Sequence, residues 1–316
     1  MPQSPVLTRR SVLAASGGLV VGSAVLPQLG PTPAVAQGQG GGLSRTVTVG
    51  SFSVVTLLDG ARNVPDPQSI FGMNVSEDEF AEVSANNFLP IDQARFFFTP
   101  TLVDTGSEVV LFDTGNGGTN GNLPAALADA GYTPEDVTIV VITHMHPDHI
   151  GGLMAGGSAA FPNARYITGS TEFDFWTGDN APAQLAEMIG GSVVPLADQM
   201  TFLEDGGSVT SGITAVAAFG HTPGHMTYMI ESDGAQLMLI ADLANHYVWS
   251  LAYPDWEVRF DADKAAAAAS RRQVLGMLAT DRIPFVGYHM PFPALGYVEA
   301  NGDGFRYVPQ SYQFDL

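Results

Sequence analysis

The sequence predicts an α/β sandwich: two sheets packed face to face, with helices outside. Three observations predict it. Apolar, β-branched runs of strand length recur in both halves of the chain. Helical segments fall between those runs and not in a separate block. Reactive side chains cluster where the runs stop, the place α/β sheets give to their chemistry.

Residues 46–49 and 53–58 read as strands. The stretch 59–100 is rich in Pro, Asn and Phe and reads as irregular, with one short helix at 76–83. Residues 101–103 and 108–112 form a hairpin around Thr105-Gly106-Ser107. A helix at 123–130 is stopped by Gly131. Val137-Thr138-Ile139-Val140-Val141-Ile142 is apolar and β-branched enough for a strand buried on both faces. A short strand at 165–168 and helices at 170–176 and 182–189 follow. Residues 213–219, 226–231 and 236–241 are strands. The alanine-rich span 263–279, opened by Asp263, is the clearest helix, and 283–286 is the last buried strand.

Residues 1–36 read as a cleaved export signal. Thr8-Arg9-Arg10-Ser11-Val12-Leu13 is a twin-arginine pattern, an apolar small-residue stretch follows, and Ala34-Val35-Ala36 is a small-x-small cleavage site. The stretch is too short and glycine-broken for a stable membrane anchor. The expected product is one domain over residues 37–316, periplasmic or secreted through the twin-arginine pathway. A route that carries folded proteins suits a chain that loads its cofactor before export.

Twelve Lys and Arg face 32 Asp and Glu, a formal net charge of −20. Nucleic acid, which needs basic patches to displace counterions, is excluded as a partner. The charge also favours neutral or cationic small molecules over anionic ones. There is no cysteine, so disulfides, thiolate ligands and a cysteine nucleophile are excluded. Any metal must be held by nitrogen and oxygen.

Thr143-His144-Met145-His146-Pro147-Asp148-His149 follows the buried strand directly. Imidazole nitrogen and carboxylate oxygen suit a zinc-like dication. His144, His146 and Asp148 alternate, so an extended loop aims them to one side, and His149 points elsewhere. That arrangement suits two neighbouring metals better than one. Gly220-His221-Thr222-Pro223-Gly224-His225, Asp242 and His289 also follow strands, so sites distant in sequence can converge on one rim.

The His-x-His-x-Asp-His segment, Thr222-Pro223-Gly224-His225, Asp242 and His289 occur in the order of the metallo-β-lactamase superfamily. More narrowly, residues 142–154, Phe161-Pro162-Asn163-Ala164, Asp174-Phe175-Trp176, 221–228 and Gly304-Phe305-Arg306-Tyr307-Val308-Pro309 resemble the methyl parathion hydrolase group, whose relatives include lactonases. The resemblance implies an αββα sandwich and two divalent metals, zinc by default with Mn, Co or Fe as alternatives. It implies one metal on His144, His146 and His225, a second on Asp148, His149 and His289, and Asp242 as the bridge. It also implies that Asp113 supports a ligand histidine, that His221 packs behind the ligands, and that Trp176 and Phe292 line an aromatic pocket. Phe71, Phe88, Phe96, Phe97 and Phe98 would add an apolar mouth. A homodimer is expected on the same ground.

Two dications about 3.5–4 Å apart make a shared water acidic enough to attack near neutral pH. Asp242 would hold that nucleophile and pass a proton to the leaving group, with Asp148 mainly a ligand. The expected substrates are neutral lactones and esters, acyl-homoserine lactones among them, and aryl organophosphate triesters. Asn245 stands where acyl-homoserine lactonases often have a tyrosine, and Tyr247 or Tyr288 is the candidate to fill that space. The alternatives are a glyoxalase-II-like thioester hydrolase, a mononuclear iron dioxygenase and a non-catalytic metal-binding protein. The first would need basic residues near its site, and the chain is poor in them.

Overall fold

The computed structural model describes residues 42–179 and 181–311. The expected export signal lies outside the described residues. Among the described residues, no helix is long and apolar enough to cross a membrane.

Each half of the chain builds one seven-stranded sheet. The first runs, in spatial order, Ser44–Val49, Phe52–Leu57, Thr101–Asp104, Val109–Phe112, Ile139–Ile142, Arg165–Gly169 and Met200–Leu203. The second runs Ser208–Thr210, Ile213–Ala217, Met226–Ser232, Ala235–Ala241, Phe285–Gly287, Leu295–Asn301 and Gly304–Pro309. Ile139–Ile142 shows why the layers form. Ile139 and Val141 face the second sheet, where they join Ala215, Tyr228 and Leu239 in one core. Val140 and Ile142 face outward, under Leu123, Leu127 and Trp176 from the covering helices. A strand buried on both faces can be apolar at every position, and this one is.

The second sheet is covered by helix Lys264–Asp281, which buries Val274, Leu275 and Leu278. Asp263 caps it by accepting the Ala266 N–H at 2.9 Å. The αββα sandwich implied by the resemblance is therefore the fold observed.

Strand direction sets the site. Val109–Phe112 and Ile139–Ile142 are parallel neighbours. Ala235–Ala241 and Phe285–Gly287 are also parallel. Ile213–Ala217 runs the same way, two antiparallel steps from Ala235–Ala241. The residues that follow these strands therefore emerge on one rim.

Two readings need correction. The stretch read as irregular contains a two-stranded ribbon, Gly60–Pro65 with Gln93–Phe98, beside helix Glu77–Asn86. Gly60–Pro65 buries none of its six residues, so it carries no apolar period to read. Phe285–Gly287 is not the last strand, because Leu295–Asn301 and Gly304–Pro309 extend the sheet as a hairpin. Their polar ends, around Asn301-Gly302, hid them.

Candidate metal centre

Beyond Ile142 the chain bends at Thr143, His146 is extended, and Pro147 then opens the short helix Pro147–Ile150. That change of direction separates Asp148 and His149 from the first two histidines. Among the described residues two groups of donors result: His144, His146, His221 and Asp242, and beside them Asp148, His149 and His289.

In the first group, His146 Nδ1 lies 3.1 Å from His144 Nε2 and 3.0 Å from His221 Nε2. Asp242 Oδ2 is 3.3 Å from His221 Nε2 and 3.8 Å from His144 Nε2. Four donors around one ion at zinc-like bond lengths stand about 3.3 Å apart, so this spacing fits a tetrahedral cation. In the second group, Asp148 Oδ2 lies 3.4 Å from His289 Nε2 and 3.7 Å from His149 Nε2. Asp242 reaches this group too, through Oδ2 to His289 Nε2 at 3.1 Å and Oδ1 to His149 Nε2 at 3.2 Å.

Buried polar atoms test whether cations fit. His149 Nε2 and Asp242 Oδ1 are buried, face each other and have no hydrogen-bond partner. His149 Nδ1 donates to Asp113 Oδ2 at 2.8 Å, which turns Nε2 toward the Asp242 carboxylate. Burial opposes a charge on His149, but Asp242, Asp113 and Asp148 outweigh it and hold the ring well above the usual imidazole range, so a proton takes the place that a cation would hold between the two groups. The donor set fits two divalent ions.

The remaining ring nitrogens are fixed from behind. Thr143 donates to both oxygens of Asp113, and its hydroxyl lies 3.1 Å from His144 Nδ1. His289 Nδ1 donates to the Phe97 carbonyl at 2.7 Å. His221 Nδ1 meets Asp261 Oδ1 at 3.0 Å, and Asp261 is held by buried Arg271 at 2.8 Å. Removing either side of that buried ion pair would cost about 3–5 kcal/mol.

Here the structure groups His221, where His225 was expected, with His144, His146 and Asp242. His221, not His225, faces the donors. Both His225 nitrogens are already engaged: Nδ1 donates to Ala218 O and Nε2 accepts the Asp242 N–H, each at 3.1 Å. His225 therefore sets the backbone that carries Asp242. The strand Ile213–Ala217 ends two residues before the expected 219, so His221 sits deeper in the loop than anticipated.

Burial and neighbouring histidines hold His144 and His146 well below the usual imidazole range, neutral as ligands must be. For His221 burial opposes the charge, but hydrogen bonds with Asp242 and Asp261 outweigh it and push the pKa up to about 9. Burial alone would raise Asp242, yet His289 and His149 hold its carboxyl well below the carboxylate range. Because protonated His221 must release its proton to a cation, metal affinity is expected to rise as pH goes from 6 toward 9, by about tenfold per pH unit for each proton displaced. Calorimetric titration in buffers of different ionisation enthalpy measures that proton release; affinity independent of pH would contradict it.

A cavity of about 490 Å³ opens on this centre and is lined by His146, Asp148, Asp242 and His289. Phe96 and Phe98 line it as expected. Phe71 is instead buried core, stacked on Phe96 with ring centroids 5.7 Å apart. Phe88 is 96% exposed, and Phe97 lines a separate cleft. Trp176 and Phe292 are absent from the cavity wall. Trp176 is buried behind His146, edge-on at 5.8 Å, with its indole N–H on Glu172. Neither tyrosine fills the space beside Asn245. Tyr288 spends its hydroxyl on the Asp148 carbonyl, and Tyr247 lies outside the cavity. Asn245 itself donates to Asp242 Oδ2 at 2.9 Å. His246 is structural: its Nδ1 accepts the Val248 and Trp249 N–H groups.

Two carboxylates went unread in the sequence. Glu172, fully buried, accepts from Met145 N, Trp176 Nε1, Thr222 Oγ1 and Gly224 N, and so ties the two histidine loops together. Asp59, also fully buried, accepts the Asn116, Asn122 and Leu123 N–H groups and the Asn116 amide. It leaves so little room that a Cβ on Gly121 would stand 2.4 Å from Asp59 Oδ1. Asp59→Asn would set an NH2 against buried donors and is expected to cost about 2 kcal/mol or more. Denaturant titration checks this, and an unchanged midpoint would contradict it.

With this geometry in view, the family model described as the metallo-beta-lactamase superfamily matches residues 99–284. The chain belongs to that superfamily. Among superfamily members, an N-acyl homoserine lactonase of Bacillus cereus is 29% identical over 114 residues, 36% of this chain and 41% of that protein. Metallo-beta-lactamase domain-containing protein 1 of Mus musculus is 36% identical over 147 residues, 44% of this chain and 52% of that one. The chain thus spans about two fifths to one half of these curated relatives' length. Among solved structures, AidC, a dizinc quorum-quenching lactonase in complex with a product N-hexanoyl-L-homoserine, superposes with a TM-score of 0.79 at 28% identity, covering 85% of this chain and 99% of that one.

Proposed function

We propose that this superfamily member hydrolyses carboxylic esters and lactones with two divalent cations, zinc by default, and that acyl-homoserine lactones are among its substrates. The observation that carries this reading is the pair of donor groups sharing Asp242, with His149 Nε2 and Asp242 Oδ1 left without partners. The likeness to a dizinc lactonase supports both the metal and the lactone.

Two cations bound there would supply an acidified water as nucleophile and an electrophile for the substrate oxygen. The protein's own groups do the rest. His144, His146 and His221 would hold one cation, Asp148, His149 and His289 the other, and Asp242 reaches donors of both sets. Asn245 fixes Asp242 through Oδ2. Asp242 stays ionised, takes the proton of the attacking water and returns it to the leaving oxygen. Water adds to the acyl carbon, the acyl–oxygen bond breaks, and the products are an acid and an alcohol, joined in one hydroxy acid when a lactone opens. Phe96 and Phe98 give the acyl chain an apolar wall.

Export of the domain over residues 37–316 belongs to the same proposal and is supported by Arg9-Arg10 and Ala34-Val35-Ala36. A panel of γ-lactones, aryl esters, thioesters, aryl phosphotriesters and β-lactams, run on metal-depleted and reloaded protein, tests the function. Metal-dependent turnover led by lactones or esters is expected. Turnover independent of metal, or confined to β-lactams, would overturn it.

A further inference from the structure

Net charge misleads about the site itself. In a chain with 12 basic and 32 acidic residues, two arginines, Arg62 and Arg259, line the cavity that holds His146, Asp148, Asp242 and His289. They come from different elements. Arg62 lies in the strand Gly60–Pro65, and Arg259 in the loop before helix Lys264–Asp281.

Each is placed over an aromatic ring of the same cavity. The Arg62 guanidinium lies 5.6 Å from the centroid of Phe98, and that of Arg259 lies 5.0 Å from the centroid of Phe260. Stacking of this kind orients a guanidinium and leaves its edge N–H donors free. The acid surplus does not claim those donors. Arg165, Arg271, Arg272 and Arg306 each meet a carboxylate, whereas Arg62 and Arg259 meet none among the described residues. Two ring-backed guanidinium groups, in a cavity whose other polar lining is Asn116, Asn120 and the donor residues, match a carboxylate carried by the substrate.

We propose that the preferred substrates are esters or lactones whose acyl portion bears a carboxylate remote from the scissile bond, held by Arg62 and Arg259. This rests on the hydrolase reading above and names its substrate class. It also replaces the expectation, drawn from whole-chain charge, that anionic substrates are disfavoured. The reaction is unchanged: water adds, the acyl–oxygen bond breaks, and the remote carboxylate stays intact.

The test compares 4-nitrophenyl hydrogen adipate with 4-nitrophenyl methyl adipate, which share a skeleton and differ in that carboxylate. It uses the metal-loaded protein and follows nitrophenolate release. The anionic ester is expected to have kcat/KM about tenfold higher, mainly through KM, with the advantage shrinking as salt rises. In the double variant Arg62→Gln/Arg259→Gln the ratio of the two kcat/KM values should fall to about one. That ratio is insensitive to a general loss of folded enzyme. A ratio of one or less in the unaltered protein, or a ratio untouched in the double variant, overturns the proposal while leaving the hydrolase reading in place. Failure of the metal-loaded protein to cleave either ester would overturn this proposal, and the hydrolase reading falls with it only if γ-lactones are not cleaved by the same sample.

Discussion

Asp242→Asn is expected to lower kcat/KM by about a thousandfold or more and to reduce the cations bound per chain. The carboxylate lies within 3.8 Å of donor nitrogens on His144, His149, His221 and His289, so its charge serves both groups. An amide keeps the shape and loses the charge. It would also set NH2 hydrogens toward positions a cation should occupy. Steady-state kinetics with elemental analysis of the same sample measures both effects. Unchanged hydrolysis with the metals intact would contradict the account.

The second large effect separates two histidines that sequence order confuses. His221→Ala removes a nitrogen that stands 3.0 Å from His146 Nδ1 and 3.3 Å from Asp242 Oδ2. It is expected to empty one cation position and to reduce kcat/KM by about a thousandfold. His225→Ala removes only the acceptor for the Asp242 N–H and the donor to Ala218 O. Its loss should be about 10–100-fold, with both cations retained. Metal content per chain tells the two apart. A variant pair with the opposite outcome, His225→Ala losing metal and His221→Ala keeping it, would restore the arrangement that family order alone implied.

That exchange marks the limit of what could be read from the chain. The run 143–149 was legible because its ligands are close in sequence and follow residues 137–142, all of them apolar or β-branched. Asp242 and His289 were legible because each stands just past a strand end, and parallel strands send such residues to one rim. His221 and His225 stand four apart in one loop, and both are buried. Choosing between them needs the ring orientations, which are set by Asp261, Ala218 and the Asp242 backbone from elsewhere in the chain. Glu172 and Asp59 give no motif at all. Each is an ordinary carboxylate in the sequence, and its role exists only through the backbone N–H groups that the fold brings to it.

The aromatic residues failed for a related reason. Phe71, Phe88, Phe96, Phe97 and Phe98 look alike in a list of phenylalanines, but alternation along Gln93–Phe98 sends Phe96 and Phe98 to one face and Phe97 to the other. Recognising that alternation requires knowing that 93–98 is a strand, and its partner Gly60–Pro65 is too polar to announce the pairing.

The central claim is that seven side chains hold two cations with Asp242 common to both. Anomalous scattering from crystals of the metal-loaded protein, collected at the absorption edge of the bound element, tests it most directly. The account predicts two peaks about 3.5–4 Å apart. One should lie against His144 Nε2, His146 Nδ1 and His221 Nε2, the other against Asp148, His149 Nε2 and His289 Nε2, with Asp242 in contact with each. A single peak, or a peak coordinated by His225, would contradict it.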